Sequence, residues 1–156
     1  MDRDEKINQY ENALDQLTAM LGPDGYALDA IGKMALICAV LKIHFPDWVF
    51  VGFYRCTGPD RLEIGPYQGD IIACGTISFD RGVCGGAASR RSTVIVPDVL
   101  EFPGYIACDN QTRSEIVVPC FSADRLIAVL DIDGATPGRF DTVDQEYLER
   151  VVALLS

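Results

Sequence analysis

The chain opens with apolar positions at helical spacing. Ile7, Tyr10, Leu14, Leu17 and Leu21 recur among polar neighbours, and Gly22-Pro23-Asp24-Gly25 stops the pattern, which predicts an amphipathic first helix. From Leu28 to Ile43 the apolar positions cover almost every face, so a second helix buried on most sides is expected, ending before Pro46. His44 falls in its last turn, where the helix dipole favours it, and it is assigned no chemistry. From Trp48 the texture changes. Val49 to Tyr54, Leu62 to Ile64 and Ile71-Ile72-Ala73 read as strands joined by Gly and Pro turns. Arg81 to Ala88 reads as a loop entering a short helix, and Thr93 to Val96 as a further strand. Residues 97–113 show no periodicity, and an aperiodic stretch of this length inside a compact domain points to a functional loop. Glu115 to Phe121 and Arg125 to Asp133 form two more β-rich runs. A last helix is capped by Asp141 and carries Tyr147, Leu148, Val151, Val152 and Leu155 as its apolar stripe.

These elements describe an α+β layered domain with a mostly antiparallel central sheet flanked by helices. The 156 residues suit a single domain over 1–156, with N-terminal helices over 1–45 and the sheet and loops over 48–156. No apolar run reaches the length of a membrane span, and Met1 to Gln9 lacks the apolar core of a secretory signal, so a cytoplasmic address is expected. A formal charge of −10 argues against nucleic acid and anionic lipid as partners. Six cysteines accompany one histidine, with no CxxC spacing, so no zinc-ribbon signal exists and no metal or cofactor is expected. The thiols are then either packing residues or redox groups. Cys38 and Cys120 lie inside apolar runs and read as packing, and Cys56 sits beside a turn. Cys74, Cys84 and Cys108 fall in loops or at element ends.

Five ordered motifs run through the second half: Gly65-Pro66-Tyr67-Gln68-Gly69, Arg81-Gly82-Val83-Cys84-Gly85, Gly104-Tyr105-Ile106-Ala107-Cys108-Asp109, Ser114-Glu115-Ile116-Val117-Val118-Pro119 and Leu130-Asp131-Ile132-Asp133. In this order the chain resembles the free methionine (R)-sulfoxide reductases, a family of single GAF domains, from about Trp48 to the C-terminus. The resemblance implies that Cys108 is the nucleophile, Cys74 the resolving thiol and Cys84 a third redox cysteine. It implies that Glu115, Asp131 and Asp133 line the sulfoxide pocket and that Tyr54 flanks the substrate methyl. Phe50 stands where the family typically has Trp, Tyr105 replaces a common His, and Gly134 a common Ser. Free methionine (R)-sulfoxide as substrate, thioredoxin as external reductant and a homodimer are further expectations of the same resemblance.

The residue types suit that chemistry. A thiolate displaces the oxygen of a sulfoxide only if that oxygen is protonated as it leaves. With no histidine in the second half, the proton must come from a carboxylic acid kept neutral by burial or by a second carboxylate. Asp131 and Asp133 are two apart on a strand, hence on one face about 7 Å apart. The resulting cysteine sulfenic acid condenses with a second thiol to a disulfide, releasing water. Cys84, at the start of a short helix, is expected to have its thiolate stabilised by backbone N–H groups. Two other readings stand beside this one. A GAF sensor for a cyclic nucleotide or tetrapyrrole would work on an output domain, and a thiol redox sensor would form its disulfide without turning over methionine sulfoxide.

Strand register offers a sharper expectation. Because Ala123-Asp124 lacks Gly or Asn, a three-residue loop over 122–124 is favoured over a two-residue turn. That loop pairs Phe121 with Arg125 and Glu115 with Asp131, placing Glu115, Asp131 and Asp133 on one face below Cys108, whereas the two-residue turn would point Glu115 away.

Overall fold

The computed structural model describes residues 1–156. Helix α1 (Arg3–Leu21) starts at a capping box in which Asp2 accepts from the Glu5 amide and Glu5 accepts from the Asp2 amide. Helix α2 (Ala30–His44) is capped by Asp29. His44 pairs with Gln16 of α1 at 3.0 Å, a structural contact between the two helices. The sheet comprises β1 (Trp48–Gly58), β2 (Arg61–Gly69), β3 (Thr76–Ser78), β4 (Val94–Val96), β5 (Ser114–Ser122) and β6 (Arg125–Gly134), in the order β3-β2-β1-β6-β5-β4. Every neighbouring pair is antiparallel. Helix α3 (Gly82–Arg90) lies between β3 and β4, and α4 (Thr142–Val152) closes the chain with Asp141 as N-cap in a second capping box. No helix is long and apolar enough to cross a membrane.

Period-two alternation divides the sheet into two faces. Val51 and Phe53 of β1, Ile116, Val118 and Cys120 of β5, and Leu130 and Ile132 of β6 pack with α1, α2 and α4 in the main core. Their neighbours Phe50, Tyr54, Val117 and Val129 face the other way and pack with Val83, Cys84, Ala87 and Ala88 of α3. Helices therefore cover both faces, three on one and the short α3 on the other. Gly85 permits the close approach of α3, since a Cβ there would sit 2.4 Å from the Ser78 carbonyl oxygen. The face that carries α3 is also the face that carries the acidic residues.

The helix ends are tied by charge. Lys6 is buried with its Nζ 2.7 Å from Asp144, whose other oxygen accepts from the Tyr10 hydroxyl at 2.6 Å. This pair joins the first and last helices over the core.

Residues 97–113 are irregular, as expected, apart from a 3-10 turn at Val99–Glu101 capped by Asp98. Two expectations need correction. Ile71-Ile72-Ala73 is not a strand; β2 extends to Gly69, and the short edge strand is Thr76–Ser78. The β5–β6 hairpin closes through the two-residue turn Ala123-Asp124, with Ser122 opposite Arg125, and Glu115 pairs with Asp133 rather than Asp131. Ala123 takes the positive φ of 53° that the turn requires, at a steric cost usually left to Gly or Asn. A bulge between Cys120 and Phe121, at which Ile127 is left unpaired, shifts the register by one residue and returns Glu115 to the face of both aspartates.

Candidate active site

Adjacent strands bring the pocket residues together by register. On β1, Phe50 lies opposite Asp133 of β6 and Gly52 opposite Asp131, while Asp133 lies opposite Glu115 of β5 on its other side. Glu115, Asp131 and Asp133 thus form one buried patch, flanked by Phe50 and Tyr54. At Gly52 a Cβ would come within 2.5 Å of Tyr67 Cβ and 2.6 Å of Phe50 Cζ, so its bare backbone lets the stacked Phe50 and Tyr67 rings close over the strand. Helix α3 lays Cys84 onto this patch. The segments 71–74 and 105–109 form the rim of a small cavity that opens to solvent.

Cys74 and Cys108 meet at that rim and are joined as a disulfide across 34 residues, with Cα atoms 5.8 Å apart. Cys108 is exposed and Cys74 half-buried. Sequence reading placed all eight residues Cys74, Cys84, Cys108, Glu115, Asp131, Asp133, Tyr54 and Phe50 in one site, and all eight line this cavity. It did not single out Asp109 or Thr112. Asp109 accepts from the Gln111 and Thr112 amides at 2.7 and 2.8 Å and from the Thr112 hydroxyl, which fixes the chain directly after Cys108. An Asp two and three residues before such amides is the sequence mark of this turn.

The electrostatics are set by burial. Glu115 and Asp133 are held protonated well above the usual carboxylate range, first by burial and then by the neighbouring Asp131 charge. Burial also raises Asp131, to about 6, with the neighbouring Glu115 carboxyl and Cys84 thiol opposing the rise. Cys84 departs from the expectation of a stabilised thiolate. Burial first, then Asp131, Glu115 and Asp133, push its thiol up, and this outweighs the start of α3. It is a neutral thiol beside Asp131. Burial and the same carboxylates raise Tyr54 and Tyr105, so both hydroxyls remain donors. Among groups able to hold a metal, Cys84, Glu115 and Asp131 form the one cluster of three.

A neutral carboxyl beside an ionised one can deliver a proton into the cavity, and a thiol at the rim can attack a ligand held there. The Cys38 and Cys120 thiols, raised by burial, lie away from this site within the main core, as packing residues.

Known proteins share this architecture. A family model described as GAF domain matches residues 34–156. The chain is similar to a protein named free methionine-R-sulfoxide reductase from Saccharomyces cerevisiae, 47% identical over 125 residues, which cover 78% of this chain and 69% of that protein. It is similar to another of that name from Escherichia coli, 41% identical over 125 residues covering 80% and 74% of the two chains. Among solved structures, a free methionine-R-sulfoxide reductase from Neisseria meningitidis in complex with its substrate aligns with a TM-score of 0.86 at 41% identity, over 94% of this chain and 85% of that one.

Proposed function

The chain belongs to the free methionine-R-sulfoxide reductases, a family built on the GAF domain and acting on free methionine (R)-sulfoxide, and from that premise we propose how its residues perform the reduction. The sulfoxide group lies against Glu115, Asp131 and Asp133, with its methyl between Phe50 and Tyr54. The Cys108 thiolate attacks the sulfoxide sulfur. The oxygen takes a proton from the Glu115–Asp131 pair and passes from the methionine sulfur to the Cys108 sulfur as the bond between the two sulfurs breaks, so that methionine leaves and Cys108 carries the hydroxyl as a sulfenic acid. The Cys74 thiol then displaces that oxygen as water, forming the Cys74–Cys108 disulfide. Two electrons pass from two thiols to one sulfoxide. An external dithiol, thioredoxin, restores both thiols.

The observation that carries this reading is a disulfide between Cys74 and Cys108 at the rim of a cavity floored by three buried acids. That pairing also supports Cys74 over Cys84 as the resolving thiol. Cys84 acts from within the pocket, where its thiol lies beside Asp131. A homodimer in the cytoplasm is part of the proposal. Its support is an apolar ridge on α2, where Ile31 and Ile43 are 45% and 72% exposed and Ala35 and Ala39 lie between them at i+4 spacing.

The test is NADPH oxidation coupled through thioredoxin reductase and thioredoxin, with the epimers of free methionine sulfoxide supplied separately. Turnover of the R epimer and little of the S epimer is expected. Disulfide formation with oxidant but no turnover would favour a redox sensor instead.

A further inference from the structure

Cys84 Sγ, one Glu115 oxygen and one Asp131 oxygen lie within 4.8 Å of one another, and all three residues are buried. A second observation is independent of that grouping. Asp131 Oδ1 and Asp133 Oδ1 have no hydrogen-bond partner, although the residues are only 6% and 7% exposed and both line the same cavity. Buried carboxylate oxygens are normally satisfied, so two orphans on residues that line one pocket mark a place that lacks a donor or a cation.

We propose that Cys84, Glu115 and Asp131 bind a single zinc ion, which enters by the cavity mouth and excludes the sulfoxide. Binding releases the Cys84 thiol proton and the Glu115 carboxyl proton to solvent, and the resulting thiolate with two carboxylates is a donor set that zinc accepts, whereas calcium and magnesium prefer more ligands and oxygen alone. At zinc bond lengths of about 2.0–2.3 Å, tetrahedral ligand atoms stand about 3.5 Å apart. The triad therefore needs to draw in by about 1.3 Å at its widest, a movement within reach of side-chain rotation. The ligands come from α3, β5 and β6, and all three residues line the cavity by which the ion enters. Asp133 beside them and the net charge of −10 both favour cation entry. Exclusion of substrate rests on the pocket being the sulfoxide site, while binding of the ion does not.

The test uses protein carrying the Cys74–Cys108 disulfide, so that neither of those sulfurs can act as a ligand. Zinc alone is titrated in competition with a colorimetric chelator, and cadmium alone is added to read the thiolate-to-metal charge-transfer absorption. One ion per chain and a cadmium band are expected. Cys84→Ser should abolish the band and weaken zinc at least tenfold, and Glu115→Gln, which keeps the side-chain shape, should independently weaken it at least tenfold. Cys56→Ser should change neither, and circular dichroism confirms that each variant is folded. Failure to bind zinc stoichiometrically, or a band that survives in Cys84→Ser, would overturn the site. In the reduced enzyme, zinc should suppress methionine formation and a chelator should restore it. Binding without suppression would place the sulfoxide outside this pocket, and so overturn the proposed reading of the cavity rather than the ion site.

Discussion

Replacing Glu115 by Gln removes one ionisable proton while keeping the side chain's shape in a position that is 5% exposed. The size of the effect follows from the cluster. A free carboxyl ionises at pH 7 with a drive of about 3.4 kcal/mol, from an ordinary value near 4.5 at about 1.36 kcal/mol per pH unit. At 4.8 Å, the widest separation within the cluster, an ionised Asp131 opposes this by about 3.5 kcal/mol at an effective dielectric of 20. Burial acts in the same direction, so the pair retains a proton at neutral pH. If that proton is the one given to the departing oxygen, its loss should slow oxygen transfer by about 10²–10⁴-fold, the usual range for general acid catalysis. The assay is single-turnover methionine formation by fully reduced protein in rapid quench. Stability gives a second readout with opposite sign. A carboxyl raised in the folded state binds a proton more tightly there than in the unfolded chain. Its contribution is intact below the unfolded value near 4.5 and is lost as pH rises through the folded value. Urea midpoints should therefore show Glu115→Gln gaining on the parent as pH climbs from about 4.5 through neutrality. A single-turnover rate within threefold of the parent would refute Glu115 as part of the acid, whatever the stability shows.

Cys74→Ser should preserve the first equivalent of methionine and abolish thioredoxin-coupled recycling, read as burst against steady state, because a resolving thiol acts only after the sulfenic acid exists. Gly52→Ala should destabilise by about 1–3 kcal/mol in urea and raise KM, since the new Cβ meets Tyr67 and Phe50 at 2.5 and 2.6 Å and forces the pocket wall to move. Asp144→Ala should cost about 2–3 kcal/mol by urea unfolding, because Lys6 keeps only Asp141 at 3.1 Å and the buried Tyr10 hydroxyl loses its acceptor.

The helices were legible because their signals are local. Asp141 precedes a stripe at helical spacing and caps it as expected, and all five stripe residues are buried. The acidic and thiol members of the site were legible through the five ordered motifs and the family resemblance they carry, since residue type alone fits Asp131 and Asp133 equally to a solvated strand end. Register was not legible in the same way. Ala123 carries no residue-type signal for its positive φ, and the bulge at Ile127 has no composition mark; each changes the pairing by one residue, and together they restore the face that a simple longer loop would have given. Ile71-Ile72-Ala73 has strand composition but forms the pocket rim beside Cys74 instead of pairing with the sheet. The raised Cys84 thiol depends on burial first and then on three carboxylates brought in on β5 and β6, which its own position at the start of α3 does not reveal.

The most direct test of the account is single turnover of fully reduced protein with the separate epimers of free methionine sulfoxide, in the parent and in Cys108→Ser, followed by peptide mapping of the disulfide. The parent should yield one equivalent of methionine from the R epimer and a Cys74–Cys108 bond, and Cys108→Ser should yield none. A full equivalent of methionine from Cys108→Ser would contradict the assignment of Cys108 as the attacking thiol.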